Sequence, residues 1–146
     1  MGLALEPLAM IVSSSVSPPK RRILLVDDDL SGRDALAGAL RERYEVFVAS
    51  DGRQGVEMAA RVRPDLVVTD VSMPVLDGIA MVRELREQQG LRVPVIFLTA
   101  FDRPQLVIAA IGAGARHYLI KPVEISELEQ RIARAFGLPS EAPQRP

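Results

Sequence analysis

Four short apolar runs, residues 23–26, 66–68, 95–98 and 118–120, recur along the chain with no polar residue alternating through them. A strand with one wet face alternates; a strand covered on both faces does not. These runs therefore predict central strands of a sheet buried on both sides. Residues 44–49 are more mixed and suit a sheet edge. Helical spacing fills the intervals. Ile125, Leu128, Ile132 and Phe136 keep to one face, as do Ile79, Val82 and Leu85. Leu36 and Leu40 follow Ser31, and Asp34 three residues on suggests a capping box. Residues 54–62 and 104–111 complete five helices. Strand and helix alternating five times predict an α/β fold, a doubly wound five-stranded parallel sheet flanked by five helices.

Size and composition narrow the chemistry. At 146 residues the chain has room for about one domain. The Ser/Pro-rich residues 13–19 read as linker, so residues 1–19 are expected to be a disordered extension and 138–146 a disordered tail, around a folded unit of 20–137. The absence of Cys excludes disulfides, Cys-zinc sites and iron–sulfur clusters, and with His117 the single histidine, multi-His metal sites are excluded too. A divalent ion would have to be a hard one held by oxygen. A net charge of −1 is no footprint for nucleic acid. No apolar stretch reaches the roughly 18 residues of a membrane helix, and the N-terminal apolar run, cut by Glu6-Pro7, does not suit a secretory signal.

The predicted strands share one property: each central one ends in a polar residue. Asp27 and Asp28 follow the first, Asp70 the third, Thr99 the fourth and Lys121 the fifth. In open α/β sheets the carboxyl edge, near the reversal of strand order, is where sites are built. Three carboxylates crowded there repel one another. Against one lysine they leave a charge of −2, which one Mg²⁺ would cancel. A hard cation, an ammonium group, a hydroxyl donor and an unengaged carboxylate suit phosphoryl transfer, with a carboxylate nucleophile giving an aspartyl phosphate.

With those residues in view, the chain resembles the CheY-like receiver domain of two-component response regulators. The stretches ILLVDDD (23–29), LVVTDVSMPVLDG (66–78), VIFLTA (95–100) and HYLIKP (117–122) carry the resemblance, in order, over residues 20–137. It implies the flavodoxin-like strand order 2-1-3-4-5. It also implies roles. Asp70 would be the phosphoacceptor, taking a phosphoryl group from a sensor histidine kinase or phosphotransfer protein. Asp28, Asp70 and the backbone carbonyl of Ser72 would ligate Mg²⁺, with Mn²⁺ as a substitute, and Asp27 would hold a metal-bound water. Lys121, before a cis proline, would pair with a phosphoryl oxygen. Thr99 would donate its hydroxyl to the phosphoryl group while Tyr118 turns inward. Output would pass to a downstream protein through the face of the fourth helix, fifth strand and fifth helix, and a homodimer is a further possible assembly. A single-domain cytoplasmic regulator, catalysing only its own phosphorylation and dephosphorylation, with no direct nucleic-acid or membrane partner, is the expectation.

Departures and rivals bear on that expectation. Asp29 makes a third consecutive acid and reads as a solvated helix-start residue. Arg43 stands where the family often has glycine. Phe101 and Ser72 occupy positions that in this family affect phosphoryl lifetime. Gly112-Ala113-Gly114 reads as a helix C-terminal turn and not a dinucleotide loop, and Met73-Pro74 and Asp77-Gly78 as turn and helix-entry chemistry. The rival enzyme is a haloacid-dehalogenase-type phosphatase, its D-x-D-x-[ST] signature matched by Asp27, Asp29 and Ser31. It would make Asp27 the nucleophile, but it leaves Asp70 without a role and needs an acidic pair after the lysine. A non-phosphorylated pseudo-receiver that only docks is a second alternative. Flavin binding lacks a Ser/Thr/Gly-rich phosphate loop after the first strand.

Overall fold

In a computed structural model of the chain, which describes residues 19–100 and 104–139, the β-branched and leucine-rich runs are strands. They are β1 (Arg22–Val26), β2 (Glu45–Ala49), β3 (Leu66–Asp70), β4 (Val95–Thr99) and β5 (His117–Ile120). All pair in parallel, in the order β2-β1-β3-β4-β5. Helices α1 (Leu30–Leu40), α2 (Gly52–Val62), α3 (Gly78–Gln89), α4 (Pro104–Gly112) and α5 (Ile125–Ala135) alternate with them. The expected α/β architecture and strand order are therefore those of the protein. Of the ends expected to be disordered, 1–19 and 138–146, residues 1–18 and 140–146 lie outside the described residues, as does Phe101.

The period of two along each strand divides the core. Ile23, Leu25, Leu66, Val68, Ile96 and Leu98 face α1 and α5, where Leu36, Leu40, Leu128 and Ile132 are buried. Leu24, Val26, Val67, Val95 and Phe97 face the other way, against Ala59 of α2, Met81, Val82 and Leu85 of α3, and Ala110 of α4. Burying side chains of this size is worth about 1.5–3 kcal/mol each, so the two layers hold the strand ends in register. Among the described residues, no helix is long and apolar enough to cross a membrane.

Four local readings need correction. The run 118–120 is not a strand covered on both faces: β5 is an edge of the sheet, and Tyr118 and Ile120 on it are exposed while Leu119 is buried. The capping box at Ser31 and Asp34 does not form: the helix starts two residues earlier, with Asp29 as N-cap and the Arg33 amide donating to the Asp29 carbonyl, while the Asp34 carboxylate accepts from Arg33. Ser31 is thus already inside the first turn. Helix α2 begins at Gly52 and not at residue 54, because the Asp51 carboxylate accepts from the Gln54 amide at 2.8 Å and caps it. Ile125, assigned to the apolar face of α5, is exposed, whereas Leu128 and Ile132 are fully covered. The Gly112–Gly114 turn behaves as expected: Gly114 takes φ +89 and the guanidinium of Arg86 donates to the carbonyls of Ala113 and Gly114.

Candidate functional site

The carboxyl edge of β1 delivers two acids of different character. Asp27 is 2% exposed, and its Oδ1 accepts from the Asp29 amide at 3.0 Å. Asp28, next in the chain, is exposed. Strand β3 lies beside β1, pairing Thr69 with Val26, so its last residue, Asp70, comes up against the Asp27-Asp28 pair. Carboxylate oxygens of Asp27, Asp28 and Asp70 lie within 4.8 Å of one another. Lys121, just past β5, closes the cup. Its Nζ donates to Asp27 Oδ2 at 3.0 Å and to Asp70 Oδ2 at 2.8 Å. The Lys121 amide donates to the Thr99 carbonyl at 2.8 Å, tying the lysine to the end of β4, and the Lys121–Pro122 bond is cis.

The charges set one another's proton affinity. Burial pushes the Asp70 carboxyl above its ordinary range and Asp27 adds to this, while the Lys121 hydrogen bond and charge and the Ser72 amide, at 3.3 Å from Oδ1, oppose it. Burial works against the Lys121 ammonium, but the hydrogen bonds and charges of Asp70 and Asp27 outweigh it and hold the lysine above its usual range. Thr99 is 1% exposed, and its Oγ1 has no hydrogen-bond partner among the described residues. A buried hydroxyl without a partner costs free energy, and here it sits at the end of β4, the strand between the one carrying Asp70 and the one leading to Lys121.

The donor set fits a hard divalent ion: three oxygen ligands, a net −2 after the lysine is counted, and no soft ligand. The described residues of the cluster are those singled out in the sequence, Asp27, Asp28 and Asp70, with Lys121 paired to two of them. Tyr118 stands away from the cup on β5, 41% exposed. No glutamate after Lys121 joins the acidic cluster, so the second acidic pair that a dehalogenase-type phosphatase needs is absent among the described residues.

Two features were not read from the sequence as parts of the site. Gly78 packs so closely under β3 that a Cβ there would overlap the Asp70 carbonyl oxygen and crowd the Thr69 hydroxyl; the Asp-Gly pair signalled a turn, not this contact. Beside Asp27 and Lys121 lies a cleft of about 560 Å³ whose walls include Ala35, Leu36, Leu98, Pro122 and Val123. Nothing in a linear sequence marks it, because its walls come from α1, β4, the start of α5 and the loops after β1 and β5.

The family model described as response regulator receiver domain matches residues 23–133. The chain belongs to that family. Over 112 residues this receiver is 46% identical to the response regulator MprA of Mycobacterium leprae, covering 76% of this chain and 49% of that protein. It is 37% identical over 120 residues to the regulatory protein AtoC of Escherichia coli, covering 82% of this chain and 26% of that one. The chain thus spans about half the length, or less, of these relatives. Among solved structures it is similar to the chemotaxis protein CheY4 of Vibrio cholerae, with a TM-score of 0.74 and 31% identity over 80% of this chain and 98% of that one. It is similar also to the receiver domain of the sensor histidine kinase PA1611 of Pseudomonas aeruginosa, with a TM-score of 0.73 and 37% identity over 81% and 98%. Such receivers are signalling modules of two-component systems.

Proposed function

We propose that residues 20–137 act as a phosphoryl-accepting switch with Asp70 as the acceptor. The observation that carries the reading is the Lys121 ammonium bridging Asp27 and Asp70 within a cluster that also contains the exposed Asp28. Asp28, Asp70 and the Ser72 carbonyl would hold Mg²⁺ or Mn²⁺, with Asp27 reaching it through water. The PA1611 receiver, 37% identical, has a magnesium ion coordinated in its active-site cleft. Bound there, the ion would screen the acids from one another and draw charge from the phosphoryl oxygens.

A carboxylate oxygen of Asp70 attacks the phosphorus of a phosphohistidine on a sensor kinase or phosphotransfer protein. The P–N bond breaks, the imidazole leaves with the electron pair and takes a proton from water, and an acyl phosphate remains on Asp70. Lys121, displaced from its carboxylates, pairs with a phosphoryl oxygen. The buried Thr99 hydroxyl gains the acceptor it lacks, drawing the end of β4 inward and opening space for Tyr118 to follow. A few charge-assisted hydrogen bonds suffice to bias a two-state element of this kind. Output passes to a downstream protein across α4, β5 and α5, and the whole cycle belongs in the cytoplasm with the kinase's transmitter.

Intact mass after incubation with acetyl phosphate and Mg²⁺ tests the assignment. One hydroxylamine-labile phosphoryl adduct is expected on the wild type and none on Asp70→Asn. An adduct that survives Asp70→Asn, or none on the wild type with either a small donor or a kinase, would overturn it.

A further inference from the structure

All the strands run in parallel and the helices return against them, so each turn from helix to strand opens on the amino edge of the sheet, opposite the carboxylate cup. Those turns are basic. Lys20 precedes β1, Arg41 and Arg43 lie between α1 and β2, Arg61 and Arg63 close α2, and Arg92 precedes β4; all six are exposed. Hydrogen bonds make the turns neighbours. Lys20 Nζ donates to the Arg41 carbonyl at 3.1 Å, and the Arg22 guanidinium donates to the Val62 carbonyl at 2.7 Å. Of the acids at these turns, Glu42, Glu45 and Asp65, two are engaged by Arg22: Glu45 at 3.7 Å, and Asp65, which accepts its amide at 2.8 Å. Among the described residues, none of the six cations is paired with a carboxylate. Helix electrostatics account for part of this, because cations are favoured at helix carboxyl ends. They do not reach Arg92, two residues beyond the Gly90 cap of α3. Nor would stability alone put arginine at 63, whose φ of +50 is a conformation that suits glycine.

We infer that this edge binds the phosphate backbone of double-stranded DNA, without regard to base sequence. The net charge of −1 conceals it, because acids gather at the other edge: Asp27, Asp28 and Asp70 in the cup, with Asp51 and Asp77 capping helices there. A strand of five residues sets the two edges roughly 17 Å apart, about twice the screening length at physiological salt. Phosphates at the amino edge therefore meet the cations and little of the acids. Five of the six are arginines, whose planar fork engages phosphate bidentately. Helices α1 and α2 cover opposite faces of the sheet, so Arg41 and Arg43 stand to one side of β1 and Arg61 and Arg63 to the other, two rows for two backbones. Other polyanions fit worse. Single strands bind by stacking on aromatic rings, and the aromatic residue at these turns, Tyr44, is buried. Residues 19–22, 41–45, 61–65 and 90–94 carry no Ser, Thr, Asn, Gln or His to engage the 2′-hydroxyls of RNA. A lipid surface is held by basic charge together with inserted apolar groups, and no large apolar side chain at these turns is exposed.

The test uses the full chain and fluorescent DNA duplexes of about 20 base pairs, roughly two turns, in two unrelated sequences. An RNA duplex and a single DNA strand of the same length, and phosphatidylcholine vesicles containing phosphatidylserine, are run beside them. Both DNA duplexes should bind alike by anisotropy, with Kd on the order of 10⁻⁵ M and a slope of log affinity against log salt of about −4. Arg61→Gln/Arg63→Gln should weaken binding roughly ten-fold and flatten that slope by about two. Arg63→Gly, which suits the left-handed turn, should melt no lower than the wild type and still lose affinity. Arg83→Gln, an exposed cation within α3 and away from this edge, should bind as the wild type does. No duplex binding, tighter binding of RNA, single strands or vesicles, or an equal loss on Arg83→Gln would each overturn the inference. None of these outcomes depends on the state of Asp70, so the switch reading stands or falls separately.

Discussion

Lys121 is the residue on which the metal-free site depends. Its ammonium is shared by two buried carboxylates, and removing one partner of such a set leaves the others desolvated and uncompensated. Lys121→Ala should therefore lower the stability of the metal-free protein by about 1–3 kcal/mol, measured by urea unfolding. Adding Asp27→Asn should recover part of that loss; a loss that simply sums would show that the pair is not coupled. His117 supplies a pH-dependent counterpart away from the cup. Burial, then Arg131, Arg116 and Arg134, lower its pKa in the folded chain, so protonation is harder folded than unfolded. The stability this represents is fully present above the ordinary histidine value near 6.5 and is lost as pH falls below it. Between pH 7 and pH 5 the wild type should lose more stability than His117→Asn. Equal losses would mean that the imidazole feels the guanidiniums no more when folded than when unfolded.

Among the elements, the connection from β3 to α3 does the most to aim Asp70, the proposed acceptor. Asp77 caps α3, its carboxylate accepting from the Ala80 amide at 2.8 Å, and the Gly78 amide donates to the Val71 carbonyl at 2.9 Å. Asp77→Ala should cost about 1 kcal/mol and leave phosphorylation by acetyl phosphate near the wild-type rate. Gly78→Ala should cost more, because the new methyl overlaps the Asp70 carbonyl, and it should slow modification by moving the acceptor. If Gly78→Ala loses stability but keeps the wild-type rate, the glycine supports the fold alone. These elements also show what could be read in advance. The strands were legible because residues such as Leu24 and Leu25 face opposite layers and both are fully buried, which leaves no polar alternation. The start of α1 was not. Ser31 and Asp34 have the spacing of a cap, but the turn is set by Asp29, whose amide is drawn to Asp27 Oδ1. That turn, closed between residues two apart in the chain, outweighed the competing capping-box preference. The overlap at Gly78 and the apolar cleft beside Asp27 need three-dimensional proximity and leave no spacing to find.

At the scale of the molecule, the strand order places β1 beside β3 at the centre of the sheet, so the switch point of the fold also gathers a cluster of three carboxylates. That charge is a standing cost to the metal-free protein, and the cost falls unevenly. Asp27 and Asp70 share Lys121, whereas Asp28 is exposed, with no lysine or arginine paired to it among the described residues. Asp28→Ala should therefore raise the melting temperature of the metal-free chain slightly, by relieving repulsion. Magnesium should reverse the ranking. A ligand that binds only the folded state stabilises it by RT ln(1 + [L]/Kd), about 1.4 kcal/mol at ten times Kd, which for a domain of this size is roughly 5 °C in Tm. The wild type should gain that increment and Asp28→Ala should gain almost none, because the acid that relieves the apo state by leaving is also a proposed direct ligand. Thermal melts of both proteins across a Mg²⁺ titration should cross. Parallel rises would mean that the ion binds elsewhere, and a wild type indifferent to Mg²⁺ would mean that the three acids at the sheet's centre do not form a metal site.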